Sequence, residues 1–257
     1  MTNPTIEAAF NVRPPHFLYI VNMYNFDLKK IKQKKIILLG EMHGVIENVE
    51  IIKTFVASLE TKGISVTIAL EWPTEINSDI QAFLNNTETI LPWQSWDFVK
   101  DKDGRISKEH IAFLQWLKIR NNILLPDKKH NIFCFSEKHK LWNERDFKMA
   151  QNIKSILSNH SQKVVLAVMG NLHAQKKKLI FDGEVHMPLA THLPKKDIIA
   201  FKCDYRCGSF FNHTLQFFKS CKKCDNENIF IESITTDEFD YHIVVPCAHA
   251  VTLLGNK

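Results

Sequence analysis

Two segments of this 257-residue chain share one pattern, a run of apolar residues followed by Gly-x-x-His. In residues 35–44 the apolar run leads to Gly40 and His43, and further along the chain a similar run leads to Gly170 and His173. A short apolar run that is rich in β-branched residues and closed by Gly is typical of a buried strand. The repeated pattern therefore predicts two strands, each of which places a His just beyond its carboxyl end.

Carboxylates occupy the same kind of position. Glu41 directly precedes Met42 and His43, and a third predicted strand, residues 64–70, is followed at once by Glu71. In an open α/β sheet, ligands bind just beyond the carboxyl ends of the strands. We therefore expect Glu41, His43, Glu71 and His173 to meet in one site, as a general base with its partner or as a set of ligands.

The rest of the chain alternates between helical and strand patterns. Helices are predicted over residues 47–59, 76–84, 107–120 and 142–157, with a helix start at 187–193, and further strands over 131–135, 197–201, 228–232 and 241–245. The fold class predicted is α/β, with a mostly parallel sheet and flanking helices. We expect a single α/β domain over residues 1–257, made of an irregular lead-in (1–33), a core (34–200), a cysteine-containing segment (201–226) and a C-terminal strand pair (227–257).

Arg145 lies in the first turn of the predicted helix 142–157, where the helix dipole disfavours a cation. One interpretation is that it binds an anion or a carboxylate. The other is a surface salt bridge with Glu144 or Asp146. The aromatic segment 90–98 also has two interpretations: a packed loop or helix edge, or a wall that stacks on a substrate.

Charge and hydropathy limit the partners. The net charge of +5 comes from short, scattered Lys runs, whereas a nucleic-acid surface needs denser basic residues with aromatics between them. No apolar run reaches the roughly 20 residues of a membrane span. The N-terminus lacks the pattern of a signal peptide, so we expect a cytoplasmic protein, with secretion by another route left open. The sequence gives no prediction of the oligomeric state.

Four cysteines stand in two closely spaced pairs within residues 201–226. They are Cys203, Cys207, Cys221 and Cys224. Such pairs indicate a structural zinc site, and four free thiols are the alternative. A cytosolic location argues against disulfides. Cys134 and Cys247 have no partner close in sequence and are interpreted as core residues.

Four motifs follow one another along the chain: Gly40-Glu41-x-His43, the strand-ending Glu71, Glu144-Arg145-Asp146-x-x-Met149-Ala150 and Gly170-Asn171-Leu172-His173-Ala174. In this order they resemble the erythromycin esterase / ChaN haem-uptake / Tiki-TraB superfamily over about residues 34–211. Residues 103–107 and 116–121 are similar to segments of the esterase-like branch. The resemblance implies two related halves whose Gly-x-x-His ends form one pocket. It also implies that Glu41, His43, Glu71, Arg145 and His173 are the functional set.

The chemistry of this set suits hydrolysis with water as the nucleophile. A neutral His43 would take a proton from water at pH 7 while Glu41 or Glu71 orients it, and Arg145 or His173 would stabilise the oxyanion. The same His and Glu residues would also suit Mn²⁺ or Zn²⁺. The absence of a Gly-x-Ser-x-Gly motif argues against a serine nucleophile.

The resemblance narrows the pocket more than it names the reaction. Tiki relatives are regarded as metal-dependent peptidases, and ChaN binds haem. We expect a hydrolase of ester or amide bonds that acts on a small molecule or a peptide. The alternative is a haem- or metal-binding protein without catalysis, in which His43 and His173 ligate and Trp93 or Trp96 forms a wall. An interaction protein with a vestigial pocket is a third possibility.

Overall fold

The structure is a computed structural model that describes residue 31 and residues 33–160, 163–218, 228–233 and 236–255. Most of the predicted lead-in, and both Cys221 and Cys224, lie outside the described residues. Within them no helix is both long and apolar enough to cross a membrane.

A mostly parallel sheet forms the centre of the fold. In chain order the described strands are β1 (Ile36–Glu41), β2 (Val66–Pro73), β3 (Asn131–Ser136), β4 (Val164–Gly170), β5 (Leu179–Phe181), β6 (Glu184–His186), β7 (Ile198–Tyr205), β8 (Ser209–Asn212), β9 (Thr214–Phe217), β10 (Phe230–Ser233) and β11 (Tyr241–Val245). Seven of them pair in the order β10-β11-β7-β1-β4-β2-β3, and only the β10–β11 pair is antiparallel. The strands β5–β6 and β8–β9 form two separate hairpins. The predicted α/β class is confirmed.

The two strands that carry the Gly-x-x-His pattern are parallel neighbours in the middle of this sheet. In the β1–β4 register Leu38 lies opposite Ala167 and Glu41 opposite Gly170. All six residues of β1 are buried, as expected for a strand that is covered on both faces. His43 and His173 therefore emerge side by side at the same edge.

Helices cover both faces of the sheet. They are α1 (Glu47–Glu60), α2 (Asn77–Leu84), α3 (Lys108–Ile123) and α4 (Trp142–Asn159), with short 3₁₀ turns at Thr74–Ile76, Trp93–Ser95, Asp97–Asp101, Pro126–Lys128 and Leu189–His192. Phe55 of α1 and Leu117 of α3 belong to the core on one face, whereas Met149 and Ile153 of α4 belong to the core on the other.

The segment expected to start a helix at residues 187–193 makes only the 3₁₀ turn Leu189–His192. Pro188 precedes this turn and Pro194 follows it closely, and a Pro restricts the residue before it to extended conformations. The predicted helix start is therefore wrong beyond a single turn.

The cysteines differ from the expectation. Cys203 is a buried free thiol, whereas Cys207 and Cys247 are each disulfide-bonded. Zinc is bound by thiolates, so a disulfide leaves Cys207 nothing to offer a zinc ion. The predicted four-cysteine zinc site is incompatible with this state of Cys207. Cys247 is buried in the core as expected, but it is disulfide-bonded, which the sequence did not predict.

Candidate active site

The carboxyl ends of β1 to β4 open into one cavity of about 660 Å³. All five residues of the predicted functional set line it: Glu41, His43, Glu71, Arg145 and His173. They reach it from the ends of β1, β2 and β4 and from the first turn of α4, because parallel strands place their carboxyl ends at one edge.

Glu71 is the centre of the arrangement. Its carboxylate is buried, with 4% of the side chain exposed, and it forms an ion pair with Arg145. One of its oxygens accepts a hydrogen bond from the Gly170 N–H at 2.8 Å. The Nε2 atoms of His43 and His173 lie 3.8 Å and 3.7 Å from its oxygens. A single carboxylate therefore stands between the two Gly-x-x-His ends.

Both imidazoles are held through their other ring nitrogen. His43 Nδ1 pairs with Glu41, and His173 Nδ1 lies 2.8 Å from Asp146 Oδ1. Asp146 is fully buried, and the same oxygen accepts the Leu189 N–H at 2.6 Å. Each His therefore has its Nδ1 on a carboxylate and its Nε2 towards Glu71. Pairing of this kind fixes the ring orientation and favours the tautomer that carries its proton on Nδ1.

The charges of the site shift two pKa values in opposite directions. Burial lowers the pKa of His43, but the charges of Glu41, Glu71 and Asp103 outweigh burial and raise it to about 9. Burial raises the pKa of Glu71, but the charges of His173, His43 and Arg145 and the Gly170 N–H lower it to about 2. At neutral pH the resting site therefore contains an imidazolium at His43, contrary to the neutral ring expected from sequence.

Arg145 binds a carboxylate, as one of the two interpretations held, but it is the protein's own Glu71. Arg145 Nη2 also lies 3.4 Å from Ser136 Oγ at the end of β3. Asp146, which the surface interpretation offered as a partner, instead pairs with His173. This explains a cation in the first turn of α4, since the attraction of a buried carboxylate outweighs the helix dipole.

Several lining residues were not selected from sequence as functional. Asp103 and Arg105 form a pair at the rim, with Arg105 Nε 2.5 Å from Asp103 Oδ2. Both stand in the segment that resembles the esterase-like branch, which was the available signal. The position of Glu137 and His139, just past the end of the predicted strand 131–135, left open whether they join the site, and both line the cavity.

The aromatic wall comes from Phe98 and Trp142, and the Trp142 and His173 rings are 5.7 Å apart. Trp96 is instead buried, where it packs against Trp72 and donates to Asp79 at 2.7 Å. Trp93 is not among the residues that line the cavity. The packed-loop interpretation of residues 90–98 thus holds for Trp96, while Phe98 of the same segment reaches the cavity.

The set does not fit a divalent cation in this arrangement. Across the part of the chain that the structure describes, no group of three or more His, Cys, Asp and Glu side chains could hold a metal ion. The reason lies in the pairing of Glu71, the carboxylate between the two imidazoles, whose charge Arg145 neutralises. A guanidinium beside the carboxylate repels a cation that approaches it.

Gly170 leaves the space between these groups open, which predicts the effect of filling it. A Cβ at this position would lie 3.5 Å from His43 Nε2, 3.6 Å from His173 Cδ2 and 3.8 Å from Glu71 Oε2, all ordinary contacts. We expect Gly170→Ala to fold with an unchanged melting temperature and to lower the turnover of any substrate about tenfold, a barrier increase of about 1.4 kcal/mol.

The contrasting control is Gly63→Ala, which adds a methyl group in open space at a residue with φ of +71°. This variant should lose stability and keep its activity. Equal turnover by Gly170→Ala and the unaltered protein would show that the reacting groups do not meet at this point.

Neither a protein-family model nor a curated protein sequence matches this chain. Solved structures do. A variant of the erythromycin esterase EreC in its open conformation has a TM-score of 0.67 at 11% identity, over 91% of this chain and 96% of that one. A succinoglycan biosynthesis protein has a TM-score of 0.62 at 10% identity, over 88% of this chain and 91% of that one. A Bacillus cereus protein has a TM-score of 0.59 at 10% identity, with the same coverage. The chain therefore has an α/β fold similar to that of the erythromycin esterase, as its four motifs predicted.

Proposed function

We propose that this protein is a hydrolase that uses water to cleave an ester or amide bond in the cavity at the ends of β1 to β4. One observation carries the proposal. Two imidazoles, each oriented through Nδ1 by a carboxylate, direct their Nε2 atoms at one buried carboxylate that also binds Arg145. Convergence of titratable groups with strongly shifted pKa values in a cavity is a feature of catalytic sites.

His43 is the proton acceptor in this proposal. In its neutral form the ring keeps its Nδ1 proton on Glu41 and accepts a proton at Nε2 from the attacking water. The water oxygen bonds to the substrate carbonyl carbon, and the negative charge that develops on the carbonyl oxygen is stabilised by Arg145 or His173. When the bond to the leaving alcohol or amine breaks, His43 returns the proton to that group.

The cavity supports a substrate of drug-like size. Its volume of about 660 Å³ lies within the roughly 300–1,000 Å³ of small-molecule pockets. Phe98, Trp142 and Leu172 supply apolar wall, while the charged groups lie at the strand ends. This favours a molecule with an apolar body next to the carbonyl group. Because the fold is similar to that of an erythromycin esterase, a cyclic ester is the first substrate to test.

The haem-binding alternative has less support. An axial ligand needs a deprotonated imidazole nitrogen, yet the raised pKa of His43, about 9, keeps both of its ring nitrogens protonated at neutral pH. Trp96, one of the two walls expected for haem, is buried in the core. Visible spectroscopy after incubation with haem distinguishes the two functions, because a ligated haem changes its Soret band.

The direct test is a substrate panel that contains esters, amides and a macrocyclic lactone, with release of acid followed by titration at constant pH. Hydrolysis by the unaltered protein that Gly170→Ala slows about tenfold would support the proposal. No hydrolysis of any bond type, by protein whose fold is verified by circular dichroism, would contradict it.

The pH dependence of hydrolysis is a sharp consequence. Because His43 must be neutral to accept a proton and its pKa is raised to about 9, kcat/KM should rise with pH, reach half of its limit near pH 9 and level off above it. Only about one molecule in a hundred has neutral His43 at pH 7. In Glu41→Gln the largest of the charges that raise this pKa is gone, so the rising limb should move down by about one pH unit or more.

The matched control is Glu50→Gln, which removes a carboxylate that pairs with Lys53 on α1. Its profile should coincide with that of the unaltered protein. A rising limb near pH 6.5 in the unaltered protein would show that the carboxylates do not hold the His43 proton.

A further inference from the structure

The second oxygen of Glu41 is held by α1, on the side away from His43. Asn48, in the first turn of this helix, is buried, and its amide donates to Glu41 Oε2. The same amide nitrogen donates to the Met42 carbonyl oxygen at 2.8 Å. A side-chain amide has two N–H donors, and both are used here. The Asn48 carbonyl oxygen then requires a donor of its own.

Tyr205, the last residue of β7, is that donor. Its hydroxyl donates to Asn48 Oδ1 at 2.5 Å and accepts the Met42 N–H at 3.1 Å. A phenol has one proton to give, so these contacts fix the direction of the chain of hydrogen bonds from Tyr205 through Asn48 to Glu41. Turning the Asn48 amide over would set its carbonyl oxygen against Glu41 and against the Met42 carbonyl.

We propose that Tyr205 and Asn48 are positioning residues that hold Glu41 as a double acceptor and so select the His43 tautomer with its proton on Nδ1. This inference rests on the proposed function only for its effect on turnover. Neither Tyr205 nor Asn48 lines the 660 Å³ cavity, so both act through Glu41. The neutral ring keeps Nδ1–H on Glu41, and the Nε2 lone pair is left to face the cavity as a base requires.

The titration of His43 measures the effect of the hydrogen bonds that run from Tyr205 through Asn48 to Glu41. His43 is faced by Glu41 of β1, Glu71 of β2, Asp103 before α3 and His110 of α3. Burial and the charge of His43 beside it lower the pKa of His110 to about 3, so it stays neutral.

Tyr205 keeps its proton over the same range of pH. Burial raises the pKa of Tyr205 well above its ordinary value, and the neighbouring Cys203 and Glu41 add to this. The hydroxyl therefore remains a donor to Asn48 throughout a titration of His43.

The test is a pH titration of ¹⁵N-labelled histidines by NMR, in which His43 is assigned by the signal missing from His43→Gln. The unaltered protein should show the Nδ1–H tautomer and a midpoint near 9. Tyr205→Phe removes only the hydroxyl, since the ring that stacks on Phe218 at 5.4 Å is kept.

In Tyr205→Phe the Asn48 amide is free to turn, and Glu41 loses a donor. Its charge is then less compensated and stabilises the His43 imidazolium more strongly, so the midpoint should rise by about 0.5 unit. Turnover should fall about 3- to 10-fold, as expected for the loss of one buried hydrogen bond. The rise is opposite in sign to the fall expected for Glu41→Gln, so general loosening of the site would not reproduce it.

Tyr241→Phe is the matched control, because Tyr241 is a buried tyrosine of the neighbouring β11 whose ring stacks on Phe201. It should leave the His43 midpoint and tautomer unchanged. Asn48→Leu removes the residue that connects Tyr205 to Glu41, so it should shift the His43 midpoint in the same direction as Tyr205→Phe. This variant serves as the test if Tyr205→Phe does not fold.

An unchanged midpoint in a folded Tyr205→Phe or Asn48→Leu variant would overturn the proposal. The titration needs no substrate. If the protein hydrolyses no substrate, the proposed function is contradicted, but the titration still tests whether Tyr205 and Asn48 position Glu41.

Discussion

His43→Gln is expected to lower kcat by about 10²- to 10⁴-fold, the usual contribution of a general base. Gln retains a polar side chain that reaches towards Glu41, but it cannot accept a proton from water at neutral pH. KM should change little, because the lost interaction is one made in the transition state. Steady-state kinetics on the best substrate of the panel measures both quantities.

The control for this variant is His160→Gln. His160 follows α4 at the opposite end of the sheet, where its ring packs on Phe133 at a centroid distance of 5.0 Å and contacts Asn131. It should reduce turnover less than twofold, since it lies far from the cavity. A His43→Gln enzyme that retains more than about a tenth of the turnover would exclude His43 as the base and direct attention to His173.

The sequence was sufficient to predict that the five residues of the candidate site lie together, because the relevant signals are local. The ten residues 35–44 alone contain the apolar run of a buried strand, the Gly that ends it, and the Glu41 and His43 that follow. The parallel arrangement then follows from the alternation of strands and helices, and parallel strands bring their carboxyl ends together. The sheet order adds that β1 and β4 are direct neighbours, which places His43 and His173 on the same carboxylate.

Partners that come from distant segments could not be predicted. Asn48 and Tyr205 are 157 residues apart and meet only because β7 pairs with β1. Asp146 stood within a recognised motif, but the helical register that turns it towards His173 depends on how α4 packs on the sheet. The same holds for charge, since the raised pKa of His43 results from distances to carboxylates that no pattern of residues reveals.

The cysteine prediction was wrong because it depended on the expected cytosolic location of the protein. An expected cytosolic location argued against disulfides, so zinc ligands or free thiols were the two interpretations of the paired cysteines. Cys207 and Cys247 are instead disulfide-bonded, and Cys203 is a free thiol beside Tyr205. Spacing alone cannot distinguish a thiolate ligand from a half-cystine, because both need only that two sulfur atoms come close.

Glu71→Gln is expected to cost about 3 kcal/mol of unfolding free energy at pH 7, because it leaves Arg145 without its buried counter-ion and removes one of the two carboxylates beside the His43 imidazolium. The pKa of Glu71 gives a similar free energy. Its shift from 4.5 to about 2 corresponds to about 3 kcal/mol by which the folded protein stabilises the carboxylate over the protonated acid. Urea unfolding at pH 7 measures the loss.

The control is again Glu50→Gln, where a surface pair with Lys53 should contribute less than about 1 kcal/mol. Turnover should be abolished in Glu71→Gln and retained in Glu50→Gln, because only Glu71 contacts the two imidazoles.

The sign of the pH dependence separates a loss of charge from a loss of packing. The folded-state pKa of Glu71 is lowered, so its contribution is complete above the ordinary value of 4.5 and disappears as the pH falls through about 2. The difference in unfolding free energy between the unaltered protein and Glu71→Gln should therefore shrink steadily from pH 4.5 downwards. A difference that stays constant between pH 7 and pH 3 would mean that the carboxylate fills space in the site and that its charge contributes nothing to stability.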